Sequence, residues 1–350
     1  MSETDATILY NNAVRFNLPA DGLDYDYSLN RYVCNGRSFP TFKEAERYHE
    51  YIKKNGFLVD FVMQILTTTA NESFEILCQD YGTFNATIEW GDGTSSAVNT
   101  WDDTNLTHVY AVAGAYTVTI VGTFPNIYYN NKGDGFKITS VDNLGFMGWE
   151  TLERAFYGCD NMTSFTTGNT ELSQCFDFTN TFRNTTSLAT IENKGFDAAS
   201  MTSTSSMFRG SGITTVDCRN FDTEYATIMQ RMFRECINLD GLDVSPLDTS
   251  SCDNINDMFR DCGTINVTGL ANFTITALDA TNDLSNFANG STLPTATYDA
   301  LLISWYNQTP ILNMDADFGA STYTAGGAAE NARSLFFGEL GWTITDGGQA

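Results

Sequence analysis

Positive charge is scarce in this 350-residue chain: 18 Lys and Arg stand against 43 Asp and Glu, a formal net charge of −25. That balance argues against a nucleic-acid ligand, because binding a phosphate backbone needs Lys and Arg to displace its counterions. It argues equally against docking on an anionic membrane surface. Histidine is nearly absent, with two residues, and none of the eight cysteines (34, 78, 159, 175, 218, 236, 252 and 262) forms a CxxC pair. No zinc pattern can be drawn from such a set. Scattered cysteines read as reduced, buried thiols rather than a disulfide framework. No apolar run is long enough to cross a bilayer. The first residues, Met1 to Ile8, show neither a basic region nor an apolar one, so no secretory signal is expected.

What the chain has is apolar and aromatic residues, 42% and 13% of the total. At this length they suit two or three domains with cores of their own. The strongest pattern is an internal repeat, which has to be sought before any local structure. Phenylalanines fall at 156, 182, 208, 233, 259 and 287, at intervals of 26, 26, 25, 26 and 28. Their flanks agree: Met207-Phe208-Arg209, Met232-Phe233-Arg234 and Met258-Phe259-Arg260. An aliphatic residue follows six positions later at Met162, Leu188, Leu239, Ile265 and Leu293. Another apolar anchor precedes by twelve at Leu144, Phe196, Phe221 and Leu247. One such unit cannot bury its own apolar residues, whereas stacked units place each Phe over the next. The residues before each Phe, such as Ile255–Phe259, read as a short helical turn. The β-branched residues after it, such as Ile213–Val216, read as a short strand.

The Met-Phe-Arg-x-Cys core and the Phe221-Asp222-Thr223 and Leu247-Asp248-Thr249 steps resemble BspA-like surface-protein leucine-rich repeats. The resemblance covers residues 139–293. It implies a parallel-strand solenoid associated with adhesion rather than catalysis, known on bacterial surfaces and in phage proteins. Residues 294–350 look like the carboxy-terminal α/β cap that follows such repeats. Tyr298, Leu301, Leu302 and Trp305 recur at the spacing of one helix face, as a cap over the last open core needs.

Two repeat positions are candidates for function. Arg183, Arg209, Arg234 and Arg260 each follow a repeat Phe, and stacking brings guanidiniums within about 5 Å per rung. Like charges at that spacing need carboxylates or a partner. Internal pairing with Asp197, Asp222 and Asp248 is the favoured reading. The other is a ligand-contact stripe that grips an acidic sugar or surface. The second position holds Cys159, Thr185, Ser211, Cys236 and Cys262, read as small buried residues rather than a metal ladder.

Residues 61–138 alternate as strands separated by turns. Thr87 to Thr94 runs a strand into an Asp92-Gly93 turn, followed by His108-Val109-Tyr110 and a strand from Gly114 to Ile120. These motifs resemble a polycystic-kidney-disease-type (PKD) β-sandwich, an immunoglobulin-like spacer and adhesion module. Trp90, Tyr110 and Tyr116 are its expected core. Asp92 reads as a turn residue and His108 as a strand-edge residue. The loop Asn131–Gly135 could touch calcium but lacks alternating acidic ligands; no cofactor is otherwise expected. Residues 1–60 read as an extended arm, a hairpin over Arg31–Phe39 with an Asn35-Gly36 turn, and a helix from Thr41 to about Lys54 begun by a capping box. Their basic residues suit docking onto a larger body.

The expected fold is therefore mainly β with short helices: a ββα module, a sandwich, a repeat solenoid and a cap. The expected function is non-enzymatic display on a phage virion, on capsid or tail. Such a protein is made in the host cytoplasm, held to other virion proteins through residues 1–60, and gains avidity as a homo-oligomer. Its partner would be a host-surface glycan or protein, with no nucleic acid and no membrane. A bacterial cell-surface adhesin is the alternative. A polysaccharide-degrading enzyme is a third class, because solenoids can host paired carboxylates; no such pair stands out.

Overall fold

The computed structural model describes residues 23–26, 31–34, 37–39 and 60–350, apart from 169, 171, 199–200, 279–283 and 309. The chain divides into two compact units, 1–60 and 61–350. It is mainly β, with two α-helices among the described residues and no closed barrel.

In the first unit three antiparallel strands, β1 (Leu23–Asp26), β2 (Arg31–Cys34) and β3 (Arg37–Phe39), lie in that order. The expected hairpin is the β2–β3 pair, in which Tyr32 faces Phe39 and Cys34 faces Arg37. The expected amino-terminal arm, the Asn35-Gly36 turn and the helix from Thr41 lie outside the described residues.

The second unit begins with β4 (Phe61–Thr67), whose odd-numbered residues are buried. It pairs along its length with β9 (Gly114–Thr123), which also carries β6 (Asn85–Glu89); β7 (Ser95–Val98) closes that edge. A separate pair, β5 (Glu72–Glu75) and β8 (Thr107–Tyr110), forms a two-stranded sheet of its own. Trp90 and Tyr110 are fully buried, and the Tyr110 hydroxyl donates to the Trp90 carbonyl at 2.9 Å. Tyr116 is only half-buried. It stacks on Tyr110 at 4.0 Å and sends its hydroxyl to the Val112 carbonyl, so it closes the core rather than filling it.

The other edge of β4 leads into the repeats. Strand β10 (Ile138–Asn143) lies antiparallel to β4 and parallel to β11 (Ser164–Thr166), which in turn pairs with β12 (Thr190–Glu192). One seven-stranded sheet thus runs across the junction near residue 138. From there the units are laced in parallel. Bridges link Asp177, Ser203, Ile228 and Asn254 in turn. Further along, β13 (Asp240–Asp243) pairs with β15 (Asn266–Thr268), and β14 (Gly263–Thr264) with β16 (Ser291–Thr292).

The repeat phenylalanines from 156 to 287 are all fully buried. Rings 156, 182, 208, 233 and 259 stack face to face at 5.5 to 5.8 Å, with planes within 10°. From Phe156 to Phe259 each main-chain N–H donates to the next unit, as Phe182 does to Met207 at 2.8 Å and Phe208 to Met232 at 2.9 Å. The expected helical turn before each Phe is instead a tight turn. Residues two before and two after the phenylalanines from 182 to 259 are left-handed: Asn180 and Asn184, Ser206 and Gly210, Arg231 and Glu235, Asp257 and Asp261. Two such residues per unit reverse the chain around the Phe and prevent a helix from propagating.

Ile213–Val216 does not form the expected strand. The position that is a strand in other units falls at Asp217, whose carboxylate accepts from the Arg219 N–H and starts a 3-10 turn over Cys218–Asn220. The side chain there competes with the ladder and wins.

The stack ends at Phe287, whose ring stands at 76° to Phe259. The helix α1 (Thr295–Tyr306) closes it: Tyr298, Leu301, Leu302 and Trp305 are its buried face, and Trp305 meets Phe287 edge-on. Helix α2 (Ala328–Gly338) packs on α1. The ladder nonetheless continues in the tail. Leu284 bridges to Ala316; β17 (Asp315–Asp317) pairs with β19 (Thr343–Thr345), and β18 (Thr322–Tyr323) with β20 (Gly348–Gln349). No helix of the described residues is long and apolar enough to cross a membrane.

Candidate functional site: the arginine face of the repeats

From Phe156 to Phe259 the residue after the repeat Phe leaves the core within the same tight turn, as where the Arg183 N–H bonds back to the Asn180 carbonyl at 3.2 Å. In the first unit that residue is Tyr157, and in the next four it is Arg183, Arg209, Arg234 and Arg260. The four guanidiniums share one face, yet each has a different environment.

Arg209 is bidentate on Glu235 of the next unit, at 3.2 and 3.1 Å. Arg234 reaches the same carboxylate at 3.0 Å. Arg260 holds Asp257 at 3.1 Å and Asp261 at 3.2 Å, and Arg231 joins on Asp257 at 3.1 Å. Asp257 is 2% exposed, so it is a buried carboxylate surrounded by guanidiniums. Burial works against ionisation of Glu235, but Arg209 and Arg234 overcome it and hold its carboxyl below the usual range. The Asp257 carboxylate, with Asp261 beside it, raises the Arg260 pKa despite burial.

Internal pairing is therefore extensive, but its acids are Glu235, Asp257 and Asp261. They replace the expected Asp222 and Asp248, whose side chains make no ion pair with these arginines; the side chain of Asp197 lies outside the described residues. The reason is the left-handed turn. It brings the residues two before and two after each Phe onto the arginine side, whereas Asp222 and Asp248 bind the next main-chain N–H groups of their own loops.

Arg183 is the exception. Its guanidinium lies 4.8 Å over the Tyr157 ring and donates to the Asn180 amide oxygen at 3.2 Å. Among the described residues it meets no carboxylate, and its buried Nε has no hydrogen-bond partner. Burial and then the nearby Arg209 charge depress its pKa. Five guanidiniums here (183, 209, 231, 234 and 260) face three carboxylates. A local positive excess thus sits on a strongly acidic chain, centred where Arg183 is uncompensated. Upstream, the Arg154 guanidinium pairs with Glu153 and donates to the Tyr128 hydroxyl at 3.0 Å. Arg154, Arg231, Tyr128 and Tyr157 complete the face. Spacing from the Phe, two before or one after, was the signal that could have found Arg154, Arg231 and Tyr157.

The second repeat position is structural. Cys236 and Cys262 send their thiols to the Phe208 and Phe233 carbonyls at 2.9 and 3.0 Å, and Ser291 does the same to Phe259 at 2.6 Å. Burial pushes the Cys262 thiol up to about 12, and Cys236 higher, so neither supplies a thiolate. The seven described cysteines are all free.

Asp92 and His108 meet at 2.7 Å. The same carboxylate accepts from the Thr94 N–H and hydroxyl at 3.0 and 2.6 Å, and His108 stacks on Trp90 at 5.0 Å. Burial opposes the Asp92 charge, yet Thr94 and His108 bring its carboxyl down to about 2. Carboxylate and hydroxyl meet the same ring nitrogen, Nε2, so the imidazole does not relay between them as in a nucleophilic triad. The group locks the turn to β8. In the Asn131–Gly135 loop, the Asp134 carboxylate is engaged by Lys137 at 2.9 Å and by the Glu75 N–H at 3.0 Å. No group of three or more metal-ligating side chains gathers among the described residues.

The fold and this face define a mainly β protein built of stacked repeats. Residues 150–289 match a family model described as a Mycoplasma protein of unknown function, DUF285. The match falls on the Phe-Arg units and fits loosely with the BspA-like surface proteins that they resemble. No curated protein and no solved structure matches the chain.

Proposed function

We propose that this is a non-enzymatic recognition protein whose repeat face binds an acidic ligand on a host or environmental surface. In this reading residues 139–293 are a BspA-like leucine-rich-repeat solenoid, 61–138 a PKD-like sandwich spacer and 294–350 its cap. Arg183 carries the reading. A guanidinium without a carboxylate, braced on Tyr157 beside four others, leaves planar Nη donors for a carboxylate or sulfate. Its paired neighbours supply rigidity and positive potential without competing for the ligand.

The protein acts on a phage virion, on capsid or tail, where residues 1–60 dock to other virion proteins and several copies bind together. The seven described cysteines, all free, suit synthesis in a reducing host cytoplasm. The match to a family described from Mycoplasma favours a second setting, a bacterial cell surface, for the same recognition chemistry.

The test compares Arg183→Ala with Arg209→Ala by calorimetric titration with sialyllactose and with a galacturonate tetramer. Arg183→Ala should weaken binding at least about ten-fold at nearly unchanged stability, the loss of a charge-assisted bidentate contact. Arg209→Ala should chiefly lower the melting temperature. Equal binding by wild type and Arg183→Ala, or no binding by either, would overturn the reading.

A further inference from the structure

A second feature lies where the sandwich meets the first turn of the repeats. An open cleft of about 500 Å³ is bounded on one side by residues 77–81 and Trp101, and on the other by 128–130 and Lys132. Four aromatic residues line it: Tyr81, Trp101, Tyr128 and the buried Tyr129. Tyr81 is 50% exposed and Trp101 41%, whereas Trp90, Trp149, Trp305 and Trp342 are all buried. A tryptophan left half in water while four others fill cores invites a ligand.

The walls are held in place. Asn126 is 1% exposed; its amide oxygen accepts from the Gln79 N–H at 2.8 Å, and its amide nitrogen donates to the Tyr81 carbonyl at 2.9 Å. The Tyr128 N–H donates to the Leu77 carbonyl at 2.7 Å, which ties the two walls together. The cleft therefore exists before any ligand arrives, and binding requires little ordering.

Asp80 and Lys132 line the same cleft, and neither forms an ion pair among the described residues. One accepts hydrogen bonds only, the other donates only, and Asn130 does both. A ligand that satisfies all three is a neutral polyol, whose hydroxyls donate and accept alike. Its ring faces, lined with C–H groups, suit aromatic platforms. An anion would be opposed by Asp80, and an apolar side chain would leave both charges unserved.

We propose that this cleft is a saccharide subsite, in which a neutral pyranose ring of a glycan stacks on Trp101 and Tyr81 and hydrogen-bonds to Asp80, Lys132 and Asn130. It rests on the recognition reading only in taking a glycan as the ligand; its residues are separate from Arg183. Tyr128 lines the cleft and also receives Arg154, so the subsite adjoins the arginine face.

The test uses the full chain and three neutral probes: cellohexaose, chitohexaose and maltohexaose. Trp101 is the one tryptophan open to acrylamide, so quenching of intrinsic fluorescence reports it in the unmodified protein. At least one probe should shield Trp101 from quenching. Trp101→Ala should weaken that probe, measured by calorimetry, by about ten-fold. Trp101→Phe should restore part of the loss, and Arg183→Ala should leave it unchanged. Since Trp101 is exposed, melting temperatures should stay near wild type; Tyr81→Ala gives an independent variant. The proposal fails if no probe shields Trp101, if Trp101→Ala binds as wild type, or if a proline-rich decapeptide alone occupies the cleft. A neutral probe lost in Trp101→Ala but kept in Arg183→Ala, beside acidic probes indifferent to Arg183, would keep this subsite and remove the acidic-ligand reading. The converse pattern would do the reverse.

Discussion

Each repeat Phe and the residue after it are neighbours in the chain and share one period, yet they end in opposite conditions. The rings at 156, 182, 208, 233 and 259 are interchangeable: fully buried, stacked within 10°, each hydrogen-bonded to the next unit. The arginines at 183, 209, 234 and 260 are not. One is bidentate on Glu235, one shares that carboxylate, one bridges two aspartates, and one rests on a tyrosine ring. Packing forces uniformity, because a dense core accepts one shape at each level. Solvent imposes no such demand, so the same period can carry different chemistry on its outer side. Regularity inside lets one position outside differ without disturbing the stack.

The contrast can be broken first at the ring. Phe208→Ala removes a ring stacked on both sides and should cost about 3–5 kcal/mol in urea unfolding. A loss under about 1 kcal/mol would show that the stack relaxes around the gap and that the row is not a rigid core.

The charged row should answer more weakly. Asp257→Asn keeps the shape and the tolerance for a left-handed backbone, but leaves Arg231 and Arg260 without their shared carboxylate. Removing one partner of a fully buried pair costs more, but these arginines are partly exposed, so about 2 kcal/mol is expected. The loss should shrink in high salt, which leaves the Phe208→Ala loss in place. Salt-independence of both would erase the distinction between the rows.

The smallest effect concerns acid and lies at the turn that leads from β6 to β7. Asp92 titrates at about 2 when folded, below its ordinary 3.8. A depressed folded pKa adds stability above the unfolded value and loses it as pH falls through the folded one. Wild type should therefore lose stability between pH 3.8 and 2 through this group, and Asp92→Asn should lack that component of the slope. Identical acid slopes for the two proteins, followed by circular dichroism, would remove His108 and Thr94 as its holders.

Much of the architecture was legible because burial writes itself at fixed spacing. Phe156 through Phe259 recur within one residue of 26, and Tyr298, Leu301, Leu302 and Trp305 mark the closing helix face. The repeat in the tail was missed. Phe318 and Ser321 keep the three-residue offset, and the Ser321 hydroxyl returns to the Phe318 carbonyl at 2.6 Å, as Thr185 does to Phe182. The interval from Phe287 is 31 residues, and α1 fills it, so periodicity alone lost the register. The arginine row was visible but its partners were not. Left-handed Arg231, Glu235 and Asp257 carry no glycine to announce the turn that brings them together. The cleft was invisible for another reason. Trp101 and Tyr128 are 27 positions apart in chain regions with no common pattern.

By itself the sequence determined a β-rich chain with one stacked core, because ring spacing and the lack of any other way to bury six phenylalanines leave little choice. Which arginine lacks a carboxylate, which acids bind the others and which tryptophan faces water were decided by tertiary structure. Those outcomes depend on where left-handed turns and a sheet edge carry side chains, and neither has a signature in residue spacing.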